Sequence, residues 1–317
     1  MSRVKWVAKL IKIAMSALAQ LPLHIQLPKT ATNMQQAQRL FHGRGHAYAD
    51  LHHVTIDWLP PVILITLFAP EPLAAVEVLA DYLLPRLAEC KSVQLQHRYQ
   101  LSGPIDIIRG AAITRLVIQE DNLHFNINLG QTRNTGLFLD MRNGRRWVQE
   151  QSEDKRVLNL FAYTCGFSVA AIAGNAKSVL NVDMSSAALN VGRENHRLNQ
   201  QALDRVRFEK LDIFKSFSRL KKRGPFDLLI CDPPTLQKGS VDITRDYPKI
   251  LRRLDQFMAP DATLLLCLNA PELGRDYLLA HIAELAPQYI LTEEVKPPEV
   301  YRETQDKGLK ILCFKAG

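Results

Sequence analysis

The segment Arg156–Ser168, RVLNLFAYTCGFS, has the pattern of a short apolar strand, a turn with a single glycine at Gly166, and the start of a helix. Strands that alternate with helices in this way are typical of a parallel sheet. Apolar runs such as Asp227–Cys231, DLLIC, are typical of strands that are buried on both faces of such a sheet. This part of the sequence therefore predicts a doubly wound α/β domain.

The alternation of strand and helix patterns continues towards the end of the chain. The predicted elements are strand Arg156–Phe161, a helix from Ser168, strand Ser178–Asp183, helix Ala187–Leu203, strands Arg205–Asp212 and Phe226–Asp232, helix Tyr247–Phe257, strand Ala262–Asn269 and a helix after Gly274. Two strand-like pieces follow, Gln288–Val295 and Gly308–Lys315, and suit a closing pair at the edge of the sheet. An ordinary dinucleotide-binding fold does not need that ending.

The residues in front of this domain have a different pattern. Residues 1–40 are basic and predicted to be helical, with a second helical stretch around Met34–Phe41, and the irregular loop His42–His46 follows. Short β-branched runs with a helical stretch between them predict an α+β module over residues 41–140. A chain of 317 residues is long enough for two domains. We therefore expect a smaller α+β domain in front of an α/β domain at 141–317.

The formal net charge of +8 and the pI near 9.2 favour a polyanionic partner such as nucleic acid. Residues 1–50 hold seven Lys or Arg against one acidic residue, so much of this charge precedes the α/β domain. The sequence has no uncharged run of about 18 residues, which is the length that a membrane-spanning helix would need. The five cysteines lie far apart without a CxxC pair, which predicts neither disulfides nor a metal site and is typical of a cytoplasmic protein.

Polar residues follow four of the predicted strands at their carboxyl ends, where ligands bind in open α/β sheets. Asp183 comes 17 residues after Gly166, which is about the interval at which a carboxylate of such folds binds ribose hydroxyls. Asp212 lies beside Ile213 and Phe214. It can bind the amino group of an adenine or cap a helix, and the sequence leaves both roles open.

The fourth of these strands ends in Asp232–Thr235, DPPT. Two consecutive prolines fix the backbone and remove two donors, which leaves carbonyl oxygens to face a ligand. The turn after the first strand has Gly166 alone, whereas a dinucleotide site normally needs three glycines to approach a pyrophosphate. S-adenosylmethionine (SAM), which has ribose and adenine but no phosphate, therefore fits these strand ends better than NAD.

In these motifs the chain resembles the class I SAM-dependent methyltransferases, in particular the bacterial enzymes that methylate cytosine C5 or guanine N7 of large-subunit (23S) ribosomal RNA. The resemblance spans most of the chain. The matching segments are Asn159–Thr164 (NLFAYT), Val182–Ser185 (VDMS), Asp232–Thr235 with Arg245–Tyr247 (RDY), Thr135–Arg142 (TGLFLDMR), His42–Gly45 (HGRG) and Thr55–Trp58 (TIDW). The first forty residues do not resemble the RNA-binding module that some members carry.

The resemblance implies a Rossmann-like sheet, SAM as the cofactor, no metal, and RNA, in particular ribosomal RNA, as the substrate. It implies that Asp183 holds the ribose, that Asp212 and Ile213 hold the adenine, and that Tyr163–Ser168 passes under the methionine. The residues expected at the cofactor are Arg142, Phe161, Tyr163, Thr164, Cys165, Gly166, Phe167, Ser168, Asp183, Met184, Ser185, Asp212, Ile213, Phe214 and Asp232. Those expected at the transferred methyl group are Asp232, Pro233, Pro234 and Thr235. Cys165 stands where relatives often have glycine, which would make this turn less open.

The methylated atom depends on whether a cysteine is in place. Carbon 5 of cytosine becomes nucleophilic only after a thiolate adds to carbon 6. In the cytosine enzymes of this family that cysteine follows the fifth strand, whereas here Asn269 takes the position and Cys267 is expected inside the strand. A guanine nitrogen needs no thiolate. We therefore expect methylation of a guanine nitrogen in RNA.

Three alternatives stay open: an rRNA cytosine-C5 methyltransferase, a small-molecule methyltransferase, and a non-catalytic RNA-binding protein that keeps the fold. Polar groups at all four strand ends argue against the last one. Tyr247, and Tyr301 with Arg302, are candidates for stacking on an RNA base, although ordinary packing is the simpler explanation for each. The basic clusters Arg145–Arg146, Lys221–Arg223 and Arg252–Arg253 are expected to be solvated helix faces. The sequence leaves the oligomeric state open.

Overall fold

The computed structural model describes residues 16–234, 236–237, 241–304 and 307–317. These residues form two compact units, one made of residues 16–139 with Glu299–Thr304 and the other of residues 140–298 with 307–317. The part of the basic N-terminal segment that precedes residue 16 lies outside the described residues. Within them, no helix has the length and apolar character that crossing a membrane requires.

The first unit is an α+β structure built on a five-stranded sheet. Its strands, in their order across the sheet, are β1 (Gln38–His42), β2 (Val54–Leu59), β3 (Val62–Leu67), β4 (Ser92–His97) and β5 (Ile105–Gly110). β3 and β4 are parallel, and the other neighbours are antiparallel. The remaining elements are helices α1 (Ala31–Met34) and α2 (Leu73–Leu83) and the hairpin of β6 (Arg115–Glu120) and β7 (Leu123–Asn128).

The start of the described chain differs from the second helical stretch that the sequence predicts, Met34–Phe41. Ala17–Leu23 is a 3-10 helix, α1 has a single turn, and the predicted helix Met34–Phe41 is replaced by strand β1. Leu18 and Leu21 are buried in the same core as β1 to β4. The prediction was wrong because backbone pairing with β2 and the burial of this core override local helix propensity.

The loop His42–His46 has a packing role. A side chain on Gly43 would overlap the carbonyl oxygen of Leu51, and one on Gly45 would overlap that of Arg302. The carbonyl oxygen of Gly45 also accepts a hydrogen bond from the backbone N–H of Thr304 at 3.1 Å. The two glycines therefore let the backbone of this loop approach its neighbours closely, including the segment Glu299–Thr304 that returns to this unit.

The second unit contains a seven-stranded sheet. Its strands are β8 (Arg156–Leu160), β9 (Ser178–Asp183), β10 (Val206–Lys210), β11 (Phe226–Cys231), β14 (Met258–Leu268), β15 (Tyr289–Glu294) and β16 (Lys310–Ala316), and a separate pair is formed by β12 (Leu236–Gln237) and β13 (Val241–Asp242). The order is β10-β9-β8-β11-β14-β16-β15, and β16 is antiparallel to both of its neighbours. The doubly wound sheet with a closing pair of strands at its edge is confirmed.

Helices cover both faces of this sheet. They are α3 (Arg142–Gln151), α4 (Gly166–Ala173), α5 (Ser186–Leu198), α6 (Phe217–Arg223), α7 (Ile243–Leu251), α8 (Leu254–Phe257) and α9 (Arg275–Leu285), so the predicted helix Tyr247–Phe257 is in fact two helices. One apolar core contains Leu229 with Leu220 of α6, and the other contains Leu228 with Val148 of α3. Successive strand residues thus enter opposite cores, which explains the continuous apolar runs.

We expect Gly174→Ala to lower the free energy of unfolding by about 1–3 kcal/mol, a typical cost of overpacking. An added Cβ at Gly174, which ends α4, would overlap the carbonyl oxygen of Gln149 in α3, and a backbone atom cannot easily move away. Gly144→Ala is the control, because its Cβ would meet side-chain atoms instead of backbone, Cδ1 of Ile311 at 3.2 Å and the ring of Phe167 at 3.5 Å, and alanine favours the helix over glycine by about 1 kcal/mol. Urea denaturation measures both variants, and equal losses would contradict this packing.

Candidate functional site

Four strands of the second unit end at one edge of the sheet. β8, β9, β10 and β11 are parallel, so the residues that follow them leave the sheet on the same side. The loop after β8 is joined to β9, since the backbone N–H of Ala162 donates to the carbonyl oxygen of Val182 at 3.0 Å. The structure therefore places Phe161, Asp183, Asp212 and Asp232 at a common edge.

The turn between β8 and α4 has an unusual backbone. Phe161, Tyr163 and Cys165 have φ values of 58°, 47° and 62°, in the left-handed region that residues other than glycine seldom adopt. Conformations of this kind persist only where the surrounding structure imposes them, and they cluster at functional sites. The turn is closed by a hydrogen bond of 2.7 Å from the N–H of Cys165 to the carbonyl oxygen of Ala162.

Asp183 holds this turn in place. One carboxylate oxygen accepts the backbone N–H of Tyr163 and the other accepts that of Ser185, each at 2.8 Å. Because a carboxylate oxygen has more than one acceptor site, both oxygens can still accept from a hydroxyl group. Asp183 is partly exposed, Met184 beside it is 46% exposed, and Ser185 caps α5 by accepting from the N–H of Ala188.

Four of the residues predicted at the cofactor have side chains that face the protein interior. Thr164, Cys165, Phe167 and Ser168 are all buried. The hydroxyl of Ser168 accepts from Asn181 and bonds to Nε2 of His196, each at 2.9 Å. In this turn only the backbone of these four residues, with the side chains of Phe161 and Tyr163, is available to a ligand. The spacing of residues in the sequence does not tell whether a side chain of this turn faces the ligand or the protein interior.

Ser168 belongs to a buried chain of polar side chains. Asn159 of β8 donates to Asn181 of β9 at 2.9 Å, Asn181 donates to Ser168, and His196 of α5 bonds through Nδ1 to Gln201 at 2.6 Å. Burial lowers the pKa of His196 to about 4, so the ring is neutral at pH 7. A neutral ring that donates to Gln201 accepts from Ser168, and every member of the chain is then satisfied.

Cys165 fits into the turn because of a glycine on another helix. The thiol is fully buried, and a Cβ at Gly192 of α5 would overlap its Sγ and lie 2.9 Å from its Cβ. The position itself is left-handed and would suit glycine. The absence of a side chain at Gly192 therefore makes room for the thiol of Cys165.

Asp212 has the capping role that the sequence left open. Its side chain accepts from the N–H of Phe214 at 3.0 Å and lies 3.4 Å from Nζ of Lys215. Ile213 is buried in the apolar core, whereas Phe214 is partly exposed with its ring centroid 6.2 Å from that of Phe161. The two rings form an apolar surface beside Asp212.

Asp232 is partly exposed, and its carboxyl group is unusually basic. Burial raises its pKa to about 7, the charge of Asp140 adds to this effect, and Arg145 opposes it. Arg145 is only 4% exposed, so the prediction of a solvated Arg145 was wrong. The sequence contains a signal for this burial, because Arg145 lies four residues after Met141 and three before Val148, which are apolar and buried. The predicted Arg142 is the first residue of α3 and is partly exposed.

The strand end that leads into the turn after Asp232 is held by a hydrogen bond from Tyr247. Pro233 is buried and Pro234 is partly exposed, whereas Thr235 lies outside the described residues. The hydroxyl of the buried Tyr247 donates to the carbonyl oxygens of Cys231 at 3.3 Å and Cys267 at 3.2 Å. Tyr247 therefore ties β11 to β14 and is not exposed for stacking on a base.

The other predicted stacking candidate, Tyr301, belongs to the first unit and is partly exposed. Its ring packs against His42, with centroids 4.9 Å apart, and lies 5.0 Å from the guanidinium of Arg39. Arg302 is exposed and pairs with Glu299. The packing explanation accounts for the ring of Tyr301.

None of the five cysteines is set up as a nucleophile. Cys165, Cys231, Cys267 and Cys313 are buried, and Cys90 is partly buried. Burial raises the pKa of every one of these thiols, that of Cys313 to about 12. Cys267 lies within β14, as expected from the sequence. Among the described residues there is also no group of three or more His, Cys, Asp or Glu side chains that could hold a metal ion.

A model of the S-adenosylmethionine-dependent methyltransferase family matches residues 38–315. The chain belongs to this family. This confirms the predicted family and cofactor class, and the seven-stranded sheet is the Rossmann-like sheet of such an enzyme.

Two curated relatives are ribosomal RNA methyltransferases by name. The putative ribosomal RNA large subunit methyltransferase YwbD of Bacillus subtilis is 27% identical over 280 residues, which are 84% of this chain and 70% of the relative. Ribosomal RNA large subunit methyltransferase K/L of Pseudoalteromonas translucida is 38% identical over 159 residues, 49% of this chain and 22% of that protein. The aligned part is thus less than a quarter of the second relative.

A similar solved structure is that of SMU.776, a putative methyltransferase complexed with SAH. It has a TM-score of 0.79 at 20% sequence identity and covers 98% of this chain and 81% of its own. At this level of identity the similarity concerns the fold.

We expect a strong energetic coupling between positions 165 and 192. Gly192→Ala alone should lower the free energy of unfolding by about 1–3 kcal/mol, because its methyl group overlaps the thiol of Cys165. In a Cys165→Gly background the nearest remaining atom is the carbonyl oxygen of Thr164 at 3.4 Å, so most of that cost should disappear. A double-mutant cycle by urea denaturation measures the coupling. Additive effects of the two substitutions would contradict this contact.

The carboxyl group of Asp232 should make the fold less stable as the pH rises. Its folded pKa of about 7 exceeds the ordinary value of 3.8, so the stability present at low pH is lost between pH 3.8 and 7. Asp232→Asn lacks this titration and should be more stable than the wild type at pH 8, with a smaller difference at pH 5. Asp140→Asn should reduce the pH dependence, since it removes a nearby charge. Denaturation at both pH values tests this, and a difference independent of pH would refute it.

Proposed function

We propose that this chain transfers the methyl group of SAM to a guanine nitrogen of RNA, with ribosomal RNA as the substrate. The observation that carries the proposal is the carboxylate of Asp183, which is held by two backbone N–H groups at adjoining strand ends and keeps acceptor sites for a ribose diol. Its place beside the strained turn and near Asp232 fits the family to which the chain belongs.

The residues at the sheet edge suit the parts of SAM. Asp183 would accept hydrogen bonds from the ribose hydroxyls, and the rings of Phe161 and Phe214 would cover the adenine, with Asp212 beside it. The backbone of Tyr163–Gly166, where α4 begins, would lie along the methionine, whose carboxylate is favoured near a helix N-terminus. Bound SAM supplies a methyl group on a positively charged sulfonium.

Asp232 would act on the acceptor. Methyl transfer requires alignment of the nucleophile with the methyl group, and a rigid Pro233–Pro234 turn anchored by Tyr247 supports such alignment. Methylation of guanine at N7 leaves a positive charge on the base. An ionised Asp232 would stabilise that charge, and its pKa of about 7 places it between its two protonation states at neutral pH.

The burial of the cysteines supports guanine over cytosine as the base that accepts the methyl group. Methylation of cytosine at C5 needs a thiolate within reach of the base. Cys267 is buried within β14 and its pKa is raised well above the ordinary value, while the exposed residue after this strand is Asn269. A cytosine-C5 enzyme would need a different nucleophile from any cysteine of this chain.

RNA as the substrate is supported by the relatives and by charge. The curated relatives described above are named as ribosomal RNA methyltransferases. The net charge of +8 favours a polyanion over a neutral metabolite. A small-molecule methyltransferase is the second candidate, and salt dependence separates the two, because RNA binding weakens steeply with added salt.

The test is transfer of labelled methyl groups from SAM to total RNA of a strain that lacks the protein, followed by nucleoside analysis. We expect a methylated guanosine, and Cys267→Ala should keep most of the activity because the thiol takes no part. Asp183→Asn is the variant that should lose activity, in contrast to Cys267→Ala. It should bind SAM about 10- to 100-fold more weakly by calorimetry, since hydrogen bonds to charged groups contribute about 1.5–3 kcal/mol.

Three outcomes would contradict the proposal. Labelled 5-methylcytidine would show that the acceptor is carbon, and loss of all turnover in Cys267→Ala would show that this thiol is needed. Label that enters only small molecules would favour the second candidate.

A further inference from the structure

The positive charge of the second unit is concentrated in two short segments. Residues 213–223 and 245–253 together hold nine Lys or Arg and a single acidic residue, Asp246. The two segments therefore have an excess of eight positive charges. We call the surface formed by these two segments the basic strip.

The two segments lie side by side on one face of the sheet. Nζ of Lys249 in α7 lies 5.6 Å from the ring centroid of Phe214, and the guanidinium of Arg253 lies 4.6 Å from that of Phe217 in α6. The ring of Phe217 in turn stacks on that of Phe257 in α8, with centroids 6.5 Å apart. These aromatic contacts join α6, α7 and α8 into a continuous surface.

One end of the basic strip reaches the candidate cofactor edge. Phe214 follows Asp212 and its ring contacts that of Phe161 at 6.2 Å, so Lys249 lies next to the surface proposed to cover the adenine. From there the strip continues along α6 and the end of α7. The basic strip is therefore placed to contact a polyanion that has one of its units at the methyl group of the cofactor.

Part of the strip is neutralised and part is not. Asp246 pairs with Arg245 and Lys249, Glu209 of β10 pairs with Arg219 and Arg223, and Asp212 pairs with Lys215. Among the residues that the structure describes, no ion pair is formed by Lys221, Lys222, Arg252 or Arg253. Lys221, Lys222 and Arg252 are also exposed.

We propose that the basic strip binds the phosphodiester backbone of the RNA whose base is methylated at the adjacent edge. This inference rests on the proposed function. Cations held over aromatic rings lose less freedom when they bind a phosphate, and the uncompensated cations provide the attraction. Contacts to phosphates position a nucleic acid without reading its sequence, which is what a surface of Lys and Arg can do.

The strip can be tested with Lys221→Glu/Lys222→Glu and the milder Lys221→Gln/Lys222→Gln. The control is Arg197→Glu/Arg205→Glu, which makes the same change in net charge as the first variant. Arg197 is exposed in the last turn of α5, as the two lysines are in the last turn of α6, and Arg205 is exposed before β10. α5 packs beside Cys165 through Leu189, in a cluster separate from that of Leu220 in α6.

The measurements are the affinity for a single-stranded RNA at several salt concentrations and the affinity for SAM by calorimetry. We expect the Glu variant to bind RNA about tenfold more weakly or worse at low salt. The Gln variant should lose about 0.7 from the slope of log affinity against log salt for each phosphate contact removed. SAM affinity in both variants, and RNA affinity in the control, should match the wild type.

Unchanged RNA affinity in the Glu variant, or an equal loss in the control, overturns the inference. So does a variant that binds naked RNA normally but no longer binds a ribosomal particle, since the strip would then contact protein. The proposed function fails separately: it is lost if the wild type transfers no methyl group to RNA. If the wild type does methylate RNA and the Glu variant has the same KM for it, only the basic strip is wrong.

Discussion

The hydrogen bonds from Tyr163 and Ser185 to the carboxylate of Asp183 are the constraint on which the site depends. They fix the end of β9 to a turn with three left-handed residues that are not glycine. Such a backbone costs about 1–3 kcal/mol for each residue and needs support from its surroundings. The carboxylate of Asp183 supports this backbone at the edge of the sheet where the candidate site lies. The buried chain of polar side chains from Asn159 through Ser168 to His196 supports it from the protein interior. A ligand therefore meets a loop whose shape is already set.

The same turn shows how residues far apart in the sequence fix one local shape. Cys165 occupies a left-handed position in which a glycine would be unstrained, and the space for its thiol exists because residue 192 of α5 has no side chain. α5 in turn begins at the cap formed by Ser185, two residues after Asp183. A change of residue within the turn thus has to be matched on α5, since both are fixed to the same strand end.

The sequence predicts the sheet well because its strands are buried on both faces, which leaves apolar runs such as that of Asp227–Cys231. It does not predict β1, where only Leu40 and Phe41 are buried and pairing with β2 decides the structure. Strand ends predict Asp183 and Asp232 as candidate site residues, and the structure brings both to one edge of the sheet. Spacing alone cannot tell that Ser168 points inward, or that Glu299–Thr304 returns to the first unit, because both depend on contacts distant in sequence.

The electrostatics of Asp232 connect stability with function. A carboxyl group whose pKa is raised to about 7 by burial and by Asp140 destabilises the fold at neutral pH. A positively charged ligand next to it would favour the ionised form, so that binding and loss of the proton are linked and the ligand restores the stability that the empty site lacks. Arg145, buried beside this pair, limits the cost in the absence of ligand without removing it. An uncharged isostere at position 232 would stabilise the fold but remove the charge that, in the proposed function, stabilises a sulfonium or a methylated guanine, which is the usual conflict between stability and activity at a binding site.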